Sequence, residues 1–492
     1  MAHKVETTRR SESGHLYTAL GLAVASWSSV SLAETSNAPV AKTGAALELD
    51  ATDVKGKHHE TFKVDEMSSP KFTAPLREIP KSITIINEEL MKERGVTSLT
   101  DVLRTTPGIT LGAGEGGTPL GDRPFIRGFE SSTDIQIDGV RDLGRMSHEA
   151  FNVESVEIVK GPGSAYSGRG STGGTINMVS KSAKMEDSIG GSVTMGTDQL
   201  WRNTVDINHY LPDQDIAFRL NAMKHEADTP GRDDVEVKRW GIAPTITWGL
   251  QGPTRVTASY YHLETDDIPD QGHPVSLITN KPADVDRDNF YGLVDRDFRK
   301  TSADLATLTL EHDFTEELTL RNTLRGGRSM QNYVMSRPVF ANVAQEENGQ
   351  VGRGFRPRNV VNTTLINQTD LFGSFHTGDI KHTYATGLEL SRETITDKNK
   401  HTGNNGRPAD LYNPNPHDGG WTLLPGTGEV TSKNQTETKS LYVFDTLGLH
   451  KQWDLNLGLR YDDYDVKNRV AGGAESSSEL WNYQVGVVFK PL

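Results

Sequence analysis

The side chains best suited to chemistry lie in a glycine-rich run at 151–181. Its charged residues are Glu154, Glu157, Lys160, Arg169 and Lys181. Charges of both signs in so short a run can form charge-assisted hydrogen bonds to a surrounding protein wall. The glycines that allow tight turns with positive φ are Gly168, Gly170, Gly173 and Gly174. A phosphate cradle would also need a Gly-Lys-Ser/Thr step that opens a helix, and none follows, so no nucleotide site is predicted.

The other reactive residue types do not form the patterns that catalysis or metal binding needs. The chain has no cysteine, which excludes disulfides, thiolate metal sites and cysteine nucleophiles. No helical i,i+4 spacing with a carboxylate occurs at His58, His59, His148, His262 or His273, so most of them are expected to be solvent-exposed. Known nucleophile motifs are missing as well. We therefore predict no enzyme, no catalytic residue, no metal site and no cofactor.

The composition favours a membrane β-barrel over helical membrane spans. Of the 492 residues 34% are hydrophobic, and the mean hydropathy is -0.54. After the first thirty residues no run of about 18 apolar residues occurs, so no transmembrane helix is predicted. Only alternate residues of a barrel strand face lipid, which suits a polar composition. The net charge of -14 disfavours nucleic acid as a partner.

The first 66 residues predict export followed by a flexible connection. Basic residues precede an apolar stretch at 16–30, and Ser31-Leu32-Ala33 resembles a cleavage site. Residues 1–33 are therefore predicted to be a secretory signal peptide, with a short buried helix as the alternative. Residues 34–66 show no sustained period and predict a flexible linker.

Residues 67–183 predict a small α+β domain. A β-branched run at 83–86 predicts a strand, and Asn87 can cap the helix that follows. A second short helix is expected at 98–104. Further short strands are expected at 126, 135–138, 156–160 and 175–179. About 115 residues is a normal size for one domain.

From residue 184 to 492 the pattern predicts an antiparallel transmembrane β-barrel, so the fold class is mainly β. One face of a strand carries Trp453, Leu455, Leu457, Leu459 and Tyr461, with aromatics at both ends, and its other face is polar. Short turns are expected at 211–215, 251–253, 313–317, 377–379 and 450–452, and long loops at 224–236, 264–300, 332–358 and 394–437. About 12 strands result. The alternative is a soluble β-sandwich, whose core could not easily bury the charges of the polar face.

The run at 151–181 resembles the plug signature of TonB-dependent receptors, Glu-x-Ile-Glu-Val-x-Lys-Gly-Pro followed by Gly-Gly-x-Ile-Asn-x-Val. The matching positions are Glu157, Lys160, Gly161, Pro162, Gly173, Gly174 and Asn177. Segments at 124–129 and 137–140 also fit this family. The resemblance extends from about residue 63 to the end of the chain. It implies a plug domain that fills the lumen of an outer-membrane barrel.

Within that family the chain is most similar to catecholate siderophore receptors of the Fiu type, through the segments at 112–117, 138–144 and 239–244. The resemblance implies a monomer in outer-membrane lipid that takes up a ferric siderophore and is energised by TonB of the inner-membrane complex. A TonB box is best matched by Leu49, Asp50, Ala51, Thr52, Asp53 and Val54, which could add as a strand to TonB. Residues 61–64 are the alternative. A hydroxamate, haem or cobalamin cargo and a non-functional barrel fragment also stay open.

A ferric catecholate is anionic and bulky, so its site is expected to offer cations and aromatic rings on the outward loops of the plug. The predicted contacts are Arg123, Ser131, Arg141, Arg145 and Met146. Further candidates in the barrel loops are Tyr291, Phe298, Tyr333 and Trp421. Because a plugged barrel needs about 22 strands, we also expect the chain to be C-terminally truncated and not to close a barrel alone.

Overall fold

The computed structural model describes residues 62–113, 121–142, 146–470 and 473–491. The predicted signal peptide, the predicted TonB box at 49–54 and the predicted ligand contact Arg145 therefore lie outside the described residues. In the described ranges, no helix is long and apolar enough to cross a membrane.

The plug begins with short helices whose first turns are capped by side chains. Asn87 Oδ1 accepts from the backbone N of Leu90 at 3.0 Å at the start of helix Glu88–Glu93. Ser98 and Asp101 form a reciprocal capping box at the start of helix Leu99–Arg104. The two remaining short helical segments of the plug are the 3-10 helix Leu76–Glu78 and the helix Ser164–Ser167. Both helices expected from the sequence are therefore confirmed.

The strands of the plug form two small sheets. They are β1 (Ser82–Asn87), β2 (Ile109–Leu111), β3 (Pro124–Ile126), β4 (Phe129–Glu130), β5 (Ile135–Ile137), β6 (Val140–Arg141), β7 (Val153–Lys160) and β8 (Gly174–Ser180). The larger sheet has the order β1-β7-β8-β5-β6, and the smaller has the order β2-β3-β4. Among the described strands of the plug, β5 and β8 are the one pair that runs in parallel.

The plug core lies between the larger sheet and the two capped helices. It is built from Ile86, Met91, Leu99, Val102, Leu103, Ile126, Ile135, Val153, Val156, Ile158, Ile176 and Met178. Each fully buried aliphatic side chain of this kind contributes roughly 1.5–3 kcal/mol to folding. The core therefore gives the plug a hydrophobic interior of its own.

A large antiparallel meander follows the plug and forms the barrel wall. Its long strands are β9 (Ser188–Met195), β10 (Trp201–Leu211), β11 (Ile216–Asp228), β12 (Glu236–Trp248), β13 (Thr254–Asp267), β14 (Phe298–Thr315), β15 (Leu318–Val339), β16 (Gln350–Thr377) and β17 (Ile380–Lys398). Three short strands, β18 (Thr402–Gly403), β19 (Ala409–Asp410) and β20 (Leu423–Leu424), come before β21 (Val430–His450), β22 (Trp453–Asn468) and β23 (Glu475–Phe489). Each long strand pairs with the next long strand in the chain. The predicted number of about 12 long strands is confirmed.

The wall strands expose their apolar faces and bury their polar ones. On β22, Trp453, Leu457 and Leu459 are exposed, whereas Arg460 and Asp462 are 1% exposed. This is the reverse of a soluble sheet, and it follows because the apolar face meets lipid while the polar face meets the plug. The alternation predicted from the sequence is confirmed.

The connections alternate between short and long, as expected. Two residues, 378–379, join β16 to β17, whereas residues 268–297 join β13 to β14. The prediction of a long loop at 332–358 is wrong. Strands β15 and β16 stay paired as far as Val339 and Gly352, and the helix Val343–Glu347 closes the hairpin. Polar composition misled the prediction, because Met335 is buried and Val351 packs in an apolar cluster with Tyr291 and Leu411.

Candidate functional site

The predicted plug signature covers the end of β7, the start of β8 and the connection 161–173 between them, here called the signature turn, which includes the helix Ser164–Ser167. The backbone N of Gly161 donates to the carbonyl O of Gly173 at 2.7 Å and closes this turn. A Cβ on Gly173 would lie 2.4 Å from the carbonyl O of Ile126, and one on Gly174 would lie 2.1 Å from that of Val159. Both positions therefore require glycine, because any side chain would push the backbones apart.

Two polar signature residues face each other across β7 and β8, and both are buried. The carboxylate of Glu157 accepts from the backbone N of Ser68 at 2.7 Å, from its Oγ at 3.0 Å, and from Asn177 Nδ2 at 2.8 Å. Asn177 Oδ1 in turn accepts from the backbone N of Gly139 at 2.8 Å. These signature residues therefore hold the N-terminal segment and the β5–β6 turn on the plug sheet.

Other charged residues of the same run contact the barrel wall. Lys181 Nζ lies 2.9 Å from Asp206 Oδ2 on β10, and Arg169 forms an ion pair with Glu393 on β17. From the wall side, Arg325 on β15 donates to Asp138 Oδ2 of the plug at 2.9 Å. The plug is therefore joined to three separated strands of the wall by charged contacts.

Arg123 is a predicted ligand contact whose side chain stays partly accessible. Its guanidinium donates to the carbonyl O of Ala113 at 3.0 Å and to Glu130 Oε2 at 2.9 Å. The same group lies 5.1 Å from the centre of the Phe125 ring. With 24% of its side chain exposed, Arg123 combines a cation and an aromatic ring at the plug surface.

The other described ligand candidates are covered in this structure. Ser131 is 0% exposed and Met146 is 4% exposed, with Met146 packed in an apolar cluster that includes Phe151. The Arg141 side chain is 13% exposed and donates to the backbone carbonyls of Thr133 at 3.2 Å and Ser167 at 3.1 Å. Arg141 therefore joins the β5–β6 hairpin to the signature turn in the present arrangement.

His148 contradicts the expectation that most histidines are solvent-exposed. It is buried, with Nδ1 at 2.8 Å from Asp122 Oδ2 and Nε2 at 2.8 Å from Asp142 Oδ2. Burial alone would lower its pKa, but the hydrogen bonds to the two carboxylates outweigh burial and raise the pKa of His148 to about 10. His262 and His273 are half-buried, so the expectation fails for them too, while His58 and His59 lie outside the described residues.

Glu149, next to His148, is a wall contact that was not predicted from the sequence. Its carboxylate accepts from Arg202 Nη1 on β10 at 2.9 Å and from Arg239 Nη1 on β12 at 2.8 Å. The Glu149 side chain is 1% exposed. No local pattern marked this pairing, because its partners lie 53 and 90 residues away in the chain.

The barrel loops pack on one another through buried polar groups. The hydroxyl of Tyr291 donates to the carbonyl O of Leu411 at 2.7 Å. Arg353, 0% exposed, donates to the carbonyl O of Tyr291 at 3.0 Å and to Asp418 Oδ2 at 2.8 Å. Of the loop aromatics considered from the sequence, Tyr291 and Tyr333 are buried, while Phe298 and Trp421 are half-buried.

A cavity of about 420 Å³ lies between the plug and parts of the wall strands β12–β15, beside the direct contacts that join them. Its wall side is rich in hydroxyl groups, from Thr245, Thr247, Thr257, Ser259, Thr307, Thr309 and Thr323. Its plug side includes Asp138, Glu149 and Asn152. A space of this size and polarity can hold water between the two domains.

Across the residues that the structure describes, no group of three or more His, Asp and Glu side chains could hold a metal ion.

Family models match both domains of the chain. Residues 75–175 match the TonB-dependent receptor plug domain. Residues 239–492 match the β-barrel of TonB-dependent receptors.

Curated relatives are similar over most of the chain. The probable TonB-dependent siderophore receptor PiuA of Acinetobacter baumannii is 38% identical over 480 residues, which cover 91% of this chain and 64% of that protein. The catecholate siderophore receptor Fiu of Escherichia coli is 34% identical over 441 residues, which cover 85% of this chain and 57% of that protein. The chain thus spans less than two thirds of the length of these relatives.

The fold is shared with solved structures, among them those of PiuA and Fiu. The crystal structure of PiuA superposes with a TM-score of 0.82 at 37% identity and covers 88% of this chain and 65% of that one. The closed form of the ferric-catecholate import receptor Fiu from Escherichia coli superposes with a TM-score of 0.80 at 31% identity and covers 87% of this chain and 66% of that one.

Proposed function

The chain belongs to the TonB-dependent receptors, and from that membership we propose that it takes up a ferric siderophore across the outer membrane by active transport. The proposed cargo is a ferric catecholate complex, and the proposed energy source is TonB. Similarity to one protein named a siderophore receptor and to another named a catecholate receptor supports this choice. The predicted signal peptide and the lipid-facing strands support an outer-membrane location, where we propose that it acts as a monomer.

The observation that carries the proposal is the attachment of the plug to the wall by charged pairs. Lys181, Arg169 and Glu149 each pair with wall residues, and the Glu149 contact is almost completely buried. A passive pore needs no folded domain of this kind in contact with its wall. Moving such a plug requires work, since buried ion pairs are costly to separate. An energised receptor therefore explains this arrangement better than a diffusion pore does.

For the resting state we propose Arg123 as the first contact with the cargo. Its partly exposed guanidinium, next to the Phe125 ring, suits an anionic aromatic ligand. Ser131, Arg141 and Met146 are covered, so in this proposal they reach the ligand only after the plug rearranges. Arg145 completes the proposed set.

Energy coupling is proposed to begin at residues 49–54. This strip contains both polar and apolar residues, and in this proposal it adds as a strand to the edge of a sheet in TonB. Deletion of 49–54 is therefore expected to abolish uptake while surface binding of the ferric complex is kept.

Uptake of radiolabelled iron tests the proposal directly. The full chain is expressed in a Gram-negative strain that lacks its own siderophore receptors, with and without TonB. We expect TonB-dependent uptake of a ferric catecholate, reduced in Arg123→Ala but not in the matched surface variant Arg104→Ala. Uptake of a ferric hydroxamate, haem or cobalamin in its place would refute the catecholate cargo. Equal uptake without TonB would refute the coupling, and no uptake of any of these cargoes would indicate a non-functional fragment.

A further inference from the structure

Residues 68–73, here called the clasp, lie in the seam between the plug sheet and the barrel wall. Their plug-side anchor is Ser68, which donates from its backbone N and its Oγ to the carboxylate of Glu157. Asn177 Nδ2 donates to Ser68 Oγ at 3.1 Å. The clasp is therefore attached to β7 and β8 at its first residue.

Lys71 is the second anchor and reaches the wall. It is 5% exposed, and its Nζ lies 4.4 Å from the ring centre of Tyr442 on β21. Burial lowers the pKa of Lys71, and the nearby carboxylate of Glu389 on β17 opposes this effect. A cation buried against an aromatic face is held by the ring and by the surrounding charges.

A three-ring stack continues the attachment. The rings of Phe72 and Tyr166 are 4.4 Å apart between centres and tilted by 7°, and the Tyr166 ring lies 4.6 Å from that of Phe444 on β21 at the same tilt. One residue further on, the hydroxyl oxygens of Thr73 and Thr446 are 2.7 Å apart. The clasp thus contacts the plug sheet, the helix Ser164–Ser167 and the wall within six residues.

These contacts differ in kind from those that hold β1. The clasp residues belong to no strand and are held by side chains and one backbone N–H, whereas β1 is paired with β7 over six residues. Side-chain contacts of this type can break one after another, but a strand must lose several ladder hydrogen bonds together. A force applied from the N-terminal side therefore acts on the clasp, the weaker attachment, before it acts on β1.

We propose that the clasp locks the N-terminal end of the plug to the wall at rest, and that its release is a required early step when the N-terminal segment is pulled. This inference rests on the proposed energised uptake. It gives residues 68–73 a mechanical role between the proposed TonB box and the first strand of the plug. Tyr166 has a positioning role, because it links the clasp to the wall through both faces of its ring.

An engineered disulfide tests the requirement for release. The chain has no cysteine, so Thr73→Cys with Thr446→Cys introduces the only possible intramolecular pair. The two oxygens replaced by sulfur are 2.7 Å apart, close to the sulfur–sulfur bond length of about 2.0 Å. The matched control is Thr265→Cys with Thr301→Cys, whose hydroxyl oxygens are 2.8 Å apart on adjacent strands of the wall. We expect oxidation to stop uptake only in the clasp pair, and reduction to restore it.

The possible results separate the clasp from the proposed function. Mass spectrometry verifies the disulfide. If the oxidised and the reduced clasp pair then take up the cargo equally, the proposed requirement for clasp release is refuted, whereas the proposed uptake function is not affected. Absence of uptake in the reduced and unmodified chains would count against the proposed function instead.

In that case, single-molecule pulling on the purified full chain from its N-terminal end tests whether the clasp is released first. We expect a first low-force step that disappears in the oxidised pair and weakens in Phe72→Ala. A first step that neither change affects would overturn the clasp.

Discussion

Removal of the Glu149 carboxylate offers a quantitative test of how the plug is held. Glu149→Ala leaves Arg202 and Arg239, whose side chains are 7% and 17% exposed, without their shared partner. Loss of one partner of a buried ion pair costs roughly 3–5 kcal/mol. Glu149 also lines the cavity next to β12–β15, so water can solvate the freed arginines and the lower figure, about 3 kcal/mol, applies.

Native-state hydrogen exchange measures this loss at two reporter amides. The backbone N of Leu99 donates to the carbonyl O of His148 at 3.0 Å, and that of Ala150 donates to Thr97 O at 2.9 Å. Both amides exchange only when the segment around Glu149 opens. Because about 1.4 kcal/mol corresponds to a factor of ten, we expect the protection of both to fall by about a hundredfold.

The matched control is Glu154→Ala in the same domain. The ion pair of Glu154 with Lys184 is exposed, at 36% and 44% of the two side chains, so its loss is expected to cost less than about 1 kcal/mol. That corresponds to less than about a fivefold change in protection. If Glu149→Ala changes the reporter amides no more than Glu154→Ala does, buried charge pairing does not hold this part of the plug.

Three further predictions follow from local contacts in the plug. Because the pKa of His148 is raised from 6.5 to about 10 in the folded state, its contribution to stability is complete below about pH 6.5 and is lost as the pH rises toward 10. The protease resistance of the plug should therefore fall in the parent chain as the pH rises from 6.5 toward 10. In His148→Gln the protease resistance should change less over the same range. Gly174→Ala places a methyl group against the carbonyl O of Val159 and should expose the plug to protease, whereas Gly326→Ala, with nothing within 4 Å, should behave as the parent. Tyr166→Phe keeps both ring stacks and removes only the hydrogen bond from Gln484, so its free energy of unfolding should fall by about 0.5–1.5 kcal/mol. Tyr166→Ala also removes the stacks and should lower the free energy of unfolding further, as measured by calorimetry. Equal losses in the two variants would contradict the importance of the stacks.

The alternating strands and short turns that repeat along the chain are predictable from the sequence. Alternation such as that of Trp453, Leu457 and Leu459 against Arg460 and Asp462 follows from the two-residue period of a strand, which is a local property. The short turns and the number of long strands follow from the same periodicity. The loop predicted at 332–358 was the exception, because its polar residues continue a hairpin in which Phe340 and Val351 are buried in a cluster with Tyr291, Ala409 and Leu411 from distant parts of the chain.

The candidate ligand residues show where such reasoning ends. Arg123 and Arg141 have the same chemistry and both lie near plug turns, so sequence alone ranked them together. Only the folded chain separates them, since the Arg141 guanidinium donates to the carbonyl groups of Thr133 and Ser167 while Arg123 keeps a partly accessible guanidinium.

The sequence by itself determined the domain types, through glycines at Gly173 and Gly174 that a tight turn requires and through strands of alternating polarity. The tertiary structure alone decided the pairing of Glu149, the burial of His148 and the position of the clasp. The physical reason is that local conformation depends on neighbouring residues, whereas the stability of a buried charge depends on partners brought close by folding. For Glu149 those partners lie 53 and 90 residues along the chain, beyond the range of any local pattern.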